Sequence, residues 1–119
     1  DKCSENLSVF TGDDKTSARD ILMGFKGNIS VTANIVPFEM HNMCKLASIG
    51  KTVEAEKINA KIDTLHDNLF IESNPIPVKW ALCKMGLINE GIRLPLTWMD
   101  KKYESKLEKS LINAGVKLK

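Results

Sequence analysis

No stretch of this 119-residue sequence is apolar enough to cross a membrane. The longest uncharged apolar stretches, such as Ile29–Phe38, contain polar residues and fall far short of the roughly 20 apolar residues a spanning helix needs. Also missing are the basic start and apolar middle of a secretory leader, any internal repeat and any low-complexity tract. Charge of one sign is missing too: 17 basic and 15 acidic residues leave a net charge of +2. The signs interleave, so no basic stripe offers itself to nucleic acid. Between Lys101 and Lys119 the lysines alternate with glutamates, as on a solvated helix face. Neither a membrane nor a nucleic acid is expected as a partner.

The familiar chemical motifs are absent as well. There is no Gly-rich phosphate loop, no Ser-His-Asp order and no His-Glu metal motif. His41 and His66 stand far apart with no second ligand at helical spacing, so packing or surface roles are expected and no metal. Cys3, Cys44 and Cys83 are an odd set at spacings that match no zinc or redox motif. Cys44 and Cys83 sit among apolar neighbours, where a free cysteine behaves as a small hydrophobe. A reduced, cytoplasmic setting follows, and no cofactor is expected.

What remains is an ordinary globular composition, 43% hydrophobic and 27% charged, enough for one modest core. The polar opening Asp1–Asn6 carries no initiator methionine and leads straight into a strand-like segment, as though the sequence were entered inside a domain. Leu7-Ser8-Val9-Phe10-Thr11 is β-rich and stops at Gly12-Asp13-Asp14. An aspartate there suits the N-cap of a helix over Lys15–Phe25, with Ala18, Ile21, Leu22 and Phe25 inward and Gly24 and Gly27 as the stop. Ile29-Ser30-Val31-Thr32-Ala33 is a second β-branched run that ends at Asn34. Pro37 suits the first turn of the next helix, whose buried stripe is Met40, Met43, Cys44 and Ala47, closed by Gly50.

Strand, helix, strand, helix over residues 7–50 implies two parallel strands joined by a right-handed crossover. Two such strands cannot close a sheet, and parallel sheets need cover on both faces. From Thr52 the pattern is helical. Val53, Ile58, Ile62, Leu65 and Leu69 line one helix to about Phe70. Asn74-Pro75-Ile76-Pro77 breaks it, and Val78–Leu87 forms a short helix apolar on more than one face. Arg93-Leu94-Pro95-Leu96 reads as an extended connector. Thr97 then caps a last helix buried through Tyr103, Leu107, Leu111 and Ala114 and closed by Gly115.

Three places could carry chemistry. Gly12-Asp13-Asp14 lies at the C-terminal end of a parallel strand, where ligands bind in parallel α/β architectures. Its carboxylates could orient a polar substrate or merely cap a helix. The run Ile29–Ala33 and its exit at Asn34 lie at the same edge and offer carbonyls and apolar walls to a small carbonyl compound. Lys79, after Asn74–Val78, would need burial or a cationic neighbour to act as a Schiff-base lysine. It reads as a structural or interface residue.

Taken together, Gly12-Asp13-Asp14 lying 17 residues ahead of Ile29, the run Ile29–Asn34, Asn74-Pro75-Ile76-Pro77-Val78-Lys79 and Arg93-Leu94-Pro95-Leu96-Thr97 resemble the dihydrodipicolinate synthase family over nearly the whole chain. Phe25–Asn28, Ser73 and Trp98 are modest departures from its pattern. The resemblance implies an α/β fold: the last two β/α units of a TIM (β/α)₈ barrel, strands 7 and 8, in residues 1–50. A C-terminal three-helix domain would occupy residues 51–119.

It also implies a Schiff-base-forming lyase that condenses pyruvate with aspartate semialdehyde in lysine biosynthesis, working as a homo-oligomer, dimer or tetramer. On that implication Ile29 lines the pyruvate pocket, and Gly12, Asp13 and Asp14 match the strand-end loop near the second substrate. The Schiff-base lysine, proton-relay tyrosine, threonine and arginine of the family match nothing here, so no catalytic residue is expected in this chain. They would belong to the remainder of the barrel. The rival expectations are a non-catalytic helical or oligomerisation module, and another aldolase of the superfamily such as N-acetylneuraminate lyase. Ser30–Asn34 and Arg93–Leu96 favour the synthase.

Overall fold

The computed structural model describes residues 6–119; the polar opening and Cys3 lie largely outside that range. The chain runs β1 (Phe10–Thr11), α1 (Ser17–Leu22), β2 (Gly27–Asn28), a 3₁₀ turn (Thr32–Asn34), α2 (Pro37–Ser48), α3 (Thr52–Asn68), α4 (Ile76–Lys84) and α5 (Lys101–Asn113). The strands pair in parallel, Phe10 opposite Gly27 and Thr11 opposite Asn28. Two loop hydrogen bonds extend the ladder, from Lys26 N to Val9 O and from Ile29 N to Thr11 O. Among the described residues this is the whole sheet, so its outer edges find no partner strand there.

Order and parallel pairing agree with the alternation in the sequence, whereas the second strand does not fall where β-branching placed it. It is Gly27–Asn28, and Ile29–Ala33 bends away into the 3₁₀ turn. Side chains override propensity here: the Asp14 carboxylate accepts the N–H groups of Val31 and Thr32, and Ser30 Oγ accepts that of Ala33 at 2.9 Å. Donors held this way are lost to a strand ladder. Gly27 is no helix stop. A Cβ there would come within 3.1 Å of the Phe10 ring, so a larger residue at that rung would push the ring aside. Gly24, at φ +110, does follow α1.

The helices have shifted ends. α1 starts at Ser17 after Thr16, which makes no side-chain cap, and Asp14 does not cap it. α4 begins at Ile76 with Pro77 inside its first turn, two residues before the expected start, and stops at Lys84. Pro77 costs nothing there, because a first-turn N–H has no acceptor to lose. Arg93–Leu96 is a turn rather than an extended run, closed by Leu96 N donating to Arg93 O. α5 is capped by Asp100, which accepts from Lys102 N at 3.0 Å, and not by Thr97. Met99 is buried immediately before it. Seating that side chain keeps residues 97–99 out of the helix.

One apolar cluster joins Ala18, Val36, Met40 and Met43 to Ile62, Leu65, Trp80, Leu107 and Leu111. The stripe expected for α2 is the one observed, with Cys44 half-buried. In α3, Val53 is exposed and Ala55 is buried in its place, in a smaller cluster with Ile21 and Ala47. No helix among the described residues is long and apolar enough to cross a membrane.

Candidate functional site

The C-terminal ends of β1 and β2 open on the same side, because the strands are parallel. Gly12-Asp13-Asp14 leaves one and Ile29–Asn34 the other. Asp14 ties them together. Its side chain is 2% exposed and takes three donors across the gap: Asn28 Nδ2 at 2.7 Å, Val31 N at 3.0 Å and Thr32 N at 2.9 Å. Hydrogen bonds to an ionised acceptor are the stronger kind, and three of them fix both strand exits relative to each other. Asp14 is therefore a clamp, with its oxygens already engaged.

Asp13 does the local work instead. It is exposed, its Oδ1 accepts from Lys15 N at 2.9 Å, and its own N–H donates to Thr11 Oγ1 at 3.2 Å. Gly12 is exposed, and a Cβ there would meet nothing within 4 Å. Ile29 is 74% exposed at the end of β2. Gly12, Asp13 and Ile29 thus remain free at the strand ends, while Asp14 organises them.

Residues that pattern reading missed complete the edge. Asn28 gives its amide N–H to Asp14, and its Oδ1 is buried without a partner among the described residues. That oxygen keeps acceptor capacity for an incoming donor. Thr32 is fully buried, and its Oγ1 lies 2.8 Å from His66 Nδ1 on α3. His66 Nε2 lies 3.2 Å from Asn59 Oδ1. His66, expected to pack or face solvent, is in the core, and burial is the main cause that lowers its pKa. A pocket of about 230 Å³ beside β2 is lined by Asn28, Ser30, Ala33, Pro37, Met40, His41 and Cys44. Burial, with a smaller contribution from Asp14, raises the Cys44 thiol pKa, which makes it a poor nucleophile at neutral pH.

Lys15, next to the clamp, pairs with Asp63 at 2.8 Å and Asp67 at 2.7 Å on α3. Lys79 on α4 is half-buried. Among the described residues no group of three or more His, Cys, Asp or Glu could hold a metal ion. The edge offers carbonyls and an exposed apolar side chain, Ile29, while the N–H groups of Val31 and Thr32 are taken up by Asp14. Such an edge can wall and orient a small ligand; among the described residues it presents no activated nucleophile.

The dihydrodipicolinate synthetase family matches residues 1–114. The 4-hydroxy-tetrahydrodipicolinate synthase of Thioalkalivibrio sulfidiphilus is 51% identical over 117 residues, 98% of this chain and 40% of its own length. That of Methylococcus capsulatus is 50% identical over 114 residues, 96% of this chain and 39% of its own. Among solved structures, the chloride-inhibited dihydrodipicolinate synthase of Acinetobacter baumannii, complexed with pyruvate, superposes with a TM-score of 0.91 at 50% identity. The match covers 93% of this chain and 38% of that one. The enzyme from Aquifex aeolicus gives 0.94 at 37% identity over 99% of this chain and 40% of its own. The chain thus spans about 40% of the length of the relatives it matches.

Proposed function

The chain belongs to the dihydrodipicolinate synthetase family, and from that premise we propose that the protein it forms part of condenses pyruvate with aspartate semialdehyde through a Schiff base, for lysine biosynthesis. Residues 1–50 are the last two β/α units of a (β/α)₈ barrel, and residues 51–119 a C-terminal helical domain. The observation that carries this reading is the Asp14 clamp. It brings Gly12, Asp13 and Ile29 to the C-terminal ends of two parallel strands, the face where TIM-barrel enzymes hold their ligands.

In this reading Ile29 walls the pyruvate, and Gly12, Asp13 and Asp14 form and brace the loop on the side of the second substrate. The lysine that attacks the ketone belongs to the remainder of the barrel. Pyruvate in the Acinetobacter baumannii structure supports the choice of oxo acid. Exposed Leu7 and Phe10, before and at the start of β1, and exposed Met23 after α1 support further protein packing here, as the rest of the barrel or as a second copy in a dimer or tetramer. The setting is cytoplasmic, and no cofactor takes part.

The test is turnover by the full-length protein, with pyruvate and aspartate semialdehyde supplied together and product followed by coupled reduction. Turnover that requires both substrates is the expected result. Cleavage of N-acetylneuraminate with no condensation would overturn the reading in favour of a superfamily aldolase.

A further inference from the structure

Ile29 stands only three residues before Thr32, and Thr32 is held from two sides. Its backbone N–H goes to the Asp14 carboxylate at 2.9 Å, and its hydroxyl meets His66 Nδ1 at 2.8 Å. The two grips come from different elements, one from the β1 exit and one from α3. His66 is itself oriented within α3. Asn59 lies two turns earlier on the same helix, and its Oδ1 is an acceptor for Nε2. An imidazole that donates through Nε2 keeps Nδ1 as a lone-pair acceptor, which is the partner the Thr32 hydroxyl needs. Thr32 and His66 are both at least 98% buried, so water does not replace the bond between them.

We propose that His66 is a positioning residue for the oxo-acid site, acting through Thr32 to fix the strand exit that carries Ile29. This rests on the reading of that exit as the pyruvate wall. A helix of the C-terminal segment thereby sets the geometry of the barrel edge without touching substrate. A buried polar pair of this kind specifies one loop conformation because each alternative leaves a donor or acceptor unpaired.

The experiment uses the full-length enzyme with Thr32→Val, Thr32→Ser, His66→Ala and the Thr32→Val/His66→Ala double variant. Thr32→Val keeps the shape of the side chain and removes only the hydroxyl. The KM for pyruvate is expected to rise about five- to tenfold in Thr32→Val, the factor one hydrogen bond carries, with a smaller change in kcat. Thr32→Ser restores it. The double variant should be no worse than His66→Ala alone, because both changes break the same link.

An unchanged KM in Thr32→Val, beside a wild type that forms a borohydride-trappable pyruvate adduct, overturns the inference and leaves the functional reading standing. A wild type that forms no such adduct overturns the functional reading and this inference with it. Thr32→Val keeps the test open if His66→Ala does not fold.

Discussion

The carboxylate of Asp14 accepts the backbone N–H of Thr32 at 2.9 Å across 18 residues of sequence. That bond joins the exits of two parallel strands and turns the second strand off its course after Asn28. Among the described residues Asp14 takes backbone and amide donors and no cation.

Replacing Asp14 should therefore be costly. Asp14→Ala leaves the N–H groups of Val31 and Thr32 without that acceptor, and a buried donor so stranded, as at Thr32, costs about 1–3 kcal/mol. Asp14→Asn keeps one carbonyl oxygen and should lose less. Urea denaturation of the full-length protein ranks the two. Equal stability of wild type and Asp14→Ala would contradict the clamp.

Acid should weaken the fold through His66. Burial chiefly holds its pKa below the ordinary 6.5; Lys15 acts in the same direction, and Asp14, Asp63 and Asp67 oppose it. The unfolded chain then binds the proton at a higher pH than the folded one. The His66 contribution to stability falls as pH drops through about 6.5 and levels off below the folded-state value. Denaturation midpoints between pH 8 and pH 5 should show that decline, and His66→Gln should flatten it. A His66→Gln profile parallel to wild type would contradict a buried neutral imidazole.

Trp80 is 2% exposed at the centre of the larger apolar cluster. Trp80→Ala removes the largest buried side chain and should cost about 3–5 kcal/mol. Denaturant titration checks it, and a loss below about 1 kcal/mol would mean the site collapses far better than such cavities usually do.

At the start of α5 the cap is Asp100 and not Thr97. Asp100→Ala should lower the denaturation midpoint and speed amide exchange at Lys102, whose N–H it accepts. Thr97→Ala should do neither. A larger effect from Thr97→Ala would restore the cap expected from the sequence.

Elements with strong periodicity were legible in the sequence. Pro37 at the start of α2, the stripe Met40–Met43–Ala47 and the face Leu107–Leu111–Ala114 all stand where spacing places them. What failed has a common cause. β2, the role of Asp14 and the cap of α5 are each decided by a partner remote from the pattern: Asp14 for residues 31 and 32, the core for Met99. Thr32–His66 spans 34 residues and leaves no trace in local spacing. Ser30, three residues before Ala33, was the one local hint that Ile29–Ala33 turns, since a serine there can accept the N–H of a residue three further on.

On the proposed function the nucleophile lies outside these 119 residues and the chain supplies the wall of the site. Borohydride reduction of the full-length protein with pyruvate, followed by peptide mass mapping, measures that directly. The expected result is a single modified lysine lying outside residues 1–119, with Lys79 and every other lysine here untouched. A pyruvate-derived label on Lys79, or on any lysine of this chain, would contradict it.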